Sequence, residues 1–147
     1  MLFLNNIIKL ITVTLVLLLS GCASQSNLTA CGTVSAYVDP QGENDVYRVV
    51  VTHLNGKPVI SRPNYTLPVG RYEFTLAELI SSPDLKVALS VRGTKKIMVN
   101  VEQDVRYHLA AKFKTDKTYV GNNPDYWQPI ILQQTPHTCE LQHNSAL

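Results

Sequence analysis

The chain has 147 residues, 45% of them hydrophobic and 16% charged, with a formal net charge of +2. So low a charged fraction, in short runs, excludes a disordered tail protein, and the near-balance of 13 basic and 11 acidic residues excludes a nucleic-acid footprint. At this length one domain is expected.

Residues 1–21 hold a single basic residue, Lys9, then an apolar run from Leu10 to Leu19 interrupted by Thr12 and Thr14, then Ser20-Gly21. A run of ten fits the core of an export signal and falls well short of the ~20 residues a spanning helix needs. Leu19-Ser20-Gly21-Cys22 resembles the bacterial lipobox: an aliphatic residue, two small residues, then cysteine. In that family the cysteine sulfur takes a diacylglyceryl group, the leader is cut just before it, and the new amine is acylated. Small residues let the peptidase approach the backbone, and the thiol is the acyl carrier. The resemblance implies a signal peptide at 1–21 and a membrane partner reached through acyl chains on Cys22. Several acyl chains anchor stably where one binds marginally. Ala23 stands where the enteric sorting rule would need Asp for inner-membrane retention, so the resemblance implies the periplasmic face of the outer membrane.

If the mature chain begins at Cys22, about 126 residues remain, enough for a real core. Residues 22–30 read as a lipidated, polar tether, 31–143 as the folded domain and 144–147 as a tail. Val46 to Leu54 is rich in β-branched and aromatic residues, as a strand is. Asn55-Gly56 then predicts a two-residue hairpin turn leading into Lys57 to Ile60. Tyr65-Thr66-Leu67 is a short run, closed by a turn at Pro68-Val69-Gly70. From Arg71 to Leu79, Tyr72, Phe74 and Leu76 share one face. Asp84 to Val91 reads as a strand, and so does Lys95 to Val101, ending in a turn at Gln103-Asp104. The clearest alternation follows: Val105, Tyr107, Leu109, Ala111 and Phe113 on one face, with Arg106, His108, Ala110, Lys112 and Lys114 on a wet face. Thr115 to Asp125 is a loop. Tyr126 to Gln133 is a last strand, and Pro129 makes it an edge or a bulge. No window shows a helical period. The expectation is an all-β fold, a single small β-sandwich of seven or eight mainly antiparallel strands, transthyretin-like or immunoglobulin-like.

Three cysteines are present, Cys22, Cys31 and Cys139. If lipid consumes Cys22, the other two are left in an oxidising compartment and a Cys31–Cys139 disulfide is expected. Free thiols or metal ligation are the alternatives, though no CxxC or Cys-His spacing favours a metal. No cofactor or metal is expected. Catalytic motifs are absent: no Gly-x-Ser-x-Gly, no His-Glu-x-x-His, no phosphate-binding glycine loop. The histidines His53, His108, His137 and His143 read first as surface imidazoles. Tyr126-Trp127 reads either as a cap on the core or as an interaction patch for a glycan or protein partner. The basic row Arg106, His108, Lys112, Lys114 and Lys117 reads as a solvated strand face or as a surface for anionic envelope groups.

Three segments resemble a small transthyretin-like or PEGA-type β-sandwich family found on bacterial envelope proteins. These are Asn55-Gly56-Lys57-Pro58-Val59, Leu67-Pro68-Val69-Gly70-Arg71-Tyr72-Glu73-Phe74, and a closing hairpin over Ile97 to Tyr107. The resemblance spans residues 55–113 and implies a module that binds or spaces rather than catalyses. Hydrolases of the transthyretin-like group end in Tyr-Arg-Gly-Ser, whereas this chain ends His143-Asn144-Ser145-Ala146-Leu147. The leading expectation is a non-enzymatic lipoprotein module that binds or braces an envelope partner. A small-ligand-binding or inhibitory β-barrel is second, and a hydrolase of unrecognised type third.

Overall fold

Runs of β-branched and aromatic residues, punctuated by Gly, Pro, Asn and Asp, pair into sheets from one end of the domain to the other. A computed structural model describes residues 29–37, 39 and 42–141. The expected leader 1–21, the expected lipidation residue Cys22, the expected tether up to residue 28, His143 and the expected tail 144–147 lie outside the described residues.

The strands are β1 (Cys31–Ser35), β2 (Val46–Tyr47), β3 (Val49–Leu54), β4 (Lys57–Pro58), β5 (Asn64–Pro68) and β6 (Gly70–Glu78). They continue as β7 (Lys86–Val87), β8 (Lys95–Val101), β9 (Val105–Phe113), β10 (Val120–Gly121) and β11 (Trp127–Pro136). Helical structure in the described residues is limited to single 3-10 turns. Strands β11, β9, β1 and β5 form one sheet in that order, with β2 also paired to β9. Strands β4, β3, β6 and β8 form the second, and β7 pairs with β10 in a small ribbon. The fold is therefore the expected all-β sandwich. Pairing is mainly antiparallel; β1 with β9 and β7 with β10 run parallel. Seven strands are five residues or longer, and the other four are two-residue segments.

The core lies between the two sheets. Val34, Phe74, Leu76, Val99, Val101, Leu109 and Trp127 have no exposed surface. The period of two in 105–113 puts Tyr107, Leu109, Ala111 and Phe113 inward. Phe74 and Leu76 on β6 meet them from the other sheet. The opposite face of β9 is less wet than the alternation implies. Ala110 is buried in a satellite cluster with Val46 and Ile130, and Arg106, His108 and Lys112 are half-covered.

Asn55-Gly56 forms the expected hairpin turn, with φ of 50° and 76° and Leu54 opposite Lys57. Four expectations need correction. Val46 to Leu54 is not one strand: it breaks at Arg48, so that Tyr47 pairs with Ala111 in one sheet while Val49 pairs with Glu78 in the other. The second arm of the hairpin is only Lys57–Pro58, because Pro63 is drawn to the other sheet by the Ala36 N–H. Asp84 to Val91 is not a strand, because only Lys86–Val87 finds a partner and the chain turns at Leu89–Val91. Ile97 to Tyr107 is not a hairpin: β8 pairs with β6 and β9 with β1, β2 and β11, so the turn carries the chain from sheet to sheet. Pro129 stands in edge strand β11, opposite Ala111, where its missing N–H costs the ladder nothing on the open side. A bulge at Leu132 lies further along the same strand.

Leu109 sits at the centre of this packing with no exposure, and Met98 projects outward from β8. Leu109→Ala removes methyl groups and leaves a cavity, costing about 2–5 kcal/mol. Met98→Ala should cost less than about 0.5 kcal/mol. Urea midpoints of the two variants test this, and equal shifts would contradict the assigned faces.

Candidate functional site

One end of the sandwich gathers the start of β1, the turn between β8 and β9, and the chain after β11. Cys31 and Cys139 are disulfide-bonded here, with Cα atoms 5.6 Å apart and 108 positions apart in sequence. A loop of that size corresponds to about 4.7 kcal/mol in the chain-entropy model. Asp104 ties the three segments together. Its N–H donates to the Cys31 carbonyl at 2.9 Å, its carbonyl accepts from His137 N–H at 2.8 Å, and its Oδ1 accepts from Cys139 N–H at 2.9 Å. These bonds require the left-handed backbone Asp104 adopts, with φ 56°, a region that Asp tolerates better than most residues. Gly32 lets the turn come this close: a Cβ there would lie 2.4 Å from the Glu102 carbonyl oxygen and 2.8 Å from Val101 Cγ1.

The opposite end is held by side chains. Glu78, at the end of β6, is almost completely buried, accepting from the Tyr126 hydroxyl at 2.7 Å and from Ile80 N–H at 2.5 Å. Arg92 lies 3.9 Å from the same carboxylate and donates to the Ile80 carbonyl at 3.3 Å. Burial first, then the bond to Glu78 and its charge, push the Tyr126 phenol well above its ordinary range. Lys95 donates to the Trp127 carbonyl at 2.8 Å and stands 5.6 Å over the indole. Tyr126 and Trp127 are thus fully buried, which agrees with their reading as a cap on the core and corrects the alternative, an interaction patch. The indole fills the core and the phenol's one polar atom is satisfied by Glu78. Beside them, Asp84, Lys86, Phe113, Asp116, Lys117 and Tyr119 border a shallow groove of about 440 Å³. Leu89 and Val120 are among the large apolar side chains left exposed at this end.

The basic row expected along β9 and beyond does not act as one surface. Lys112 is engaged by the Asn44 carbonyl and by Asp45, and Lys117 lies over the Tyr119 ring. Arg106 and His108 stand apart from them on the outer face, with His137 brought alongside from the chain after β11. The Arg106 guanidinium reaches His137 Nε2 at 2.7 Å, and His108 Nε2 lies 3.3 Å from Thr135 Oγ1. Burial, then the Arg106 charge, lower the His108 pKa. His53 is elsewhere, its Nδ1 3.0 Å from Thr52 Oγ1. Among the described residues no three His, Cys, Asp or Glu side chains gather as a metal would need. Sequence reasoning missed Asp104, Glu78 and Gly32. Only the Gln103-Asp104 turn signal pointed to the first, and nothing local marks the other two.

No family model, curated protein or solved structure matches the chain.

Asp104→Ala removes the acceptor for Cys139 N–H and puts a residue of low left-handed tolerance at positive φ, a loss of about 1–3 kcal/mol. Asp104→Asn keeps an acceptor and should lose much less, which urea melts of the oxidised protein measure. Tyr126 gives a second test. Its neutral form is favoured in the fold and ionises near pH 10 when unfolded. Stability is therefore fully present below about pH 10 and falls as pH rises above it. Alkaline unfolding should shift to higher pH in Tyr126→Phe relative to that variant's own neutral-pH stability.

Proposed function

We propose that this chain is a membrane-anchored envelope lipoprotein whose β-sandwich binds or braces a periplasmic partner, with no catalysis of its own. The observation that carries the reading is the joining of the domain's two ends by Cys31–Cys139 at one end of the sandwich. With Cys22 lipidated as its lipobox-like context implies, residues 23–30 would link acyl chains to that end, and eight residues reach at most ~30 Å. Pull through the tether would then enter at β1, which is bonded covalently to the last segment and by hydrogen bonds to the β8–β9 turn. The far end, with its groove and its exposed Leu89 and Val120, would face the periplasm.

A disulfide fits an exported protein. The space a carrier would need between the sheets is filled by Phe74, Leu76, Leu109 and Trp127. Among the described residues neither His108 nor His137 has a carboxylate as a hydrogen-bond partner, which weighs against a general base of the hydrolase kind. The outer membrane is the proposed location, from Ala23.

Cys22→Ala should leave the protein as a soluble form or an uncleaved precursor that carbonate washing strips from membranes. Retention of that variant in washed membranes would end the lipoprotein reading. Photo-crosslinkers at Leu89 and Val120 in whole cells should capture the same envelope protein, while one at Gly56 on the side hairpin should not.

A further inference from the structure

The outer face of the larger sheet carries a positive charge that the fold leaves unmatched. Arg106 projects from β9 between Thr33 of β1 and Thr135 of β11, its register partners on either side. His108, the next residue on that face, has Ser35 and Gln133 as its partners. Thr33 and Ser35 are buried, at 3% and 4% exposure, and form the floor of the patch. Arg106 forms no ion pair among the described residues, unlike Arg48, Arg92, Lys95, Lys96 and Lys112. Its Nε is buried with no acceptor. Its side-chain partner among the described residues is the His137 imidazole, which is neutral when it accepts a hydrogen bond from a guanidinium.

A half-covered guanidinium with no carboxylate partner among the described residues is costly to keep, and an anion that accepts from its outer nitrogens would offset that cost. Hydroxyls and imidazoles able to donate to an oxyanion surround it, and the nearby Asp104 carboxylate is engaged by Cys139 N–H. A flat, forked donor set flanked by hydroxyls fits the tetrahedral oxygens of a phosphate group better than it fits a single carbonyl.

We propose that Arg106, His108, Thr135 and His137 form an anion site for a phosphate group, supplied either by free phosphate or by a phospholipid headgroup. The site lies just beyond the Asp104 turn, at the end of the sandwich where the tether enters, so a membrane surface is one source within reach. It stands on this geometry and does not require the lipid anchor. The groups facing His108 are Arg106 on its own strand, Ser35 on β1, Gln133 and Thr135 on β11, and the Tyr37 backbone. None is acidic. A bound anion therefore adds the counter-charge that burial and Arg106 now withhold from the protonated ring, and raises the pKa of His108.

The test uses the purified protein as the cell produces it, with or without acyl chains, in neutral detergent micelles, followed through the histidine ring signals by NMR. Inorganic phosphate is titrated in one arm. Phosphatidylglycerol is added to the micelles in the other, with phosphatidylcholine as its control. A saturable shift of the His108 and His137 rings is expected, with a rise in the His108 pKa. Arg106→Gln should weaken it at least about tenfold, or ~1.4 kcal/mol. Lys112→Gln, whose ammonium is already engaged, should change it less than about twofold. Thr135→Val serves as the second site variant if Arg106→Gln disturbs the fold, and should weaken binding in the same direction. A response to phosphate alone assigns a soluble anion, and a response to phosphatidylglycerol alone assigns a headgroup. No saturable shift in either arm overturns the site, and so does equal weakening by Arg106→Gln and Lys112→Gln, which would mark diffuse charge attraction.

Discussion

The turn at Asp104 is the constraint on which the arrangement of both sheets depends. It is one of three short links between them, with Arg48 between β2 and β3 and Val69 between β5 and β6, and it takes the chain from β8 in one sheet to β9 in the other. A link that short holds the sheets close at this end, and its backbone must then bond to something other than a hairpin partner. The three bonds from Asp104 to Cys31, His137 and Cys139 supply that need. The same three segments carry the disulfide, so covalent and hydrogen-bonded closure coincide. Without a small residue at position 32 the approach would fail, since the added carbon would meet backbone oxygen rather than a side chain able to move.

From that closure the packing of β9 follows. With Val105 fixed beside the turn, the pleat sends Tyr107, Leu109, Ala111 and Phe113 into the core, and a slip of one residue would exchange every one of them with the outer face. The outer face is also shaped by what pairs with β9. On one side β1 runs parallel to its first half and β2 antiparallel to its second; on the other β11 runs its whole length. A strand so enclosed cannot have a fully solvated face. Ala110 is accordingly small, and Val46 and Ile130 close over it. Arg106, His108 and Lys112 occupy the remaining positions as long side chains whose stems cover the sheet while their heads reach outward.

Much of this was legible in the strands at 70–78 and 105–113, where the alternation of Tyr72, Phe74 and Leu76 and of Tyr107, Leu109 and Phe113 encodes the core face directly. Asn55-Gly56 was legible because a two-residue turn with positive φ at both positions admits few other residues. The break at Arg48 was not, since Val46 to Val51 is apolar on both sides of the kink and each half is buried against a different sheet. Nor could the sequence separate an arch from a hairpin at Gln103-Asp104, because both need a tight turn between two alternating strands and only the pairing partners differ. Tyr126 and Trp127 are distinctive as residue types, yet whether such rings lie inside or outside depends on Glu78, 48 positions from Tyr126. The Arg106 patch was legible only as part of a longer basic row; the structure separates it by pairing Lys112 with Asp45, whereas Arg106 has no ion pair among the described residues.

The two ends of the sandwich are closed by interactions of different kinds, and this sets how each responds to load or to a partner. The Cys31–Cys139 end is closed by a covalent bond, by main-chain hydrogen bonds and by the Asp104 carboxylate, which accepts from Cys139 N–H. The far end is closed by Glu78, Tyr126 and Arg92, a buried carboxylate whose hydrogen bonds and 3.9 Å ion pair must offset its desolvation. Such clusters are worth little net and are costly when half-made, so they tend to open as a unit rather than contact by contact. The segments that Glu78 holds, around Ile80, Arg92 and Tyr126, bound the loops that carry Leu89 and Val120. Local opening there would expose apolar side chains while the disulfide and the Asp104 bonds still hold the two sheets in register. On the proposed reading, a module tethered at the disulfide end would gain from that asymmetry, resisting pull there and adapting to a surface at the other end. The covalent closure lies at the end where force would enter, and the side-chain closure at the end where contact would be made.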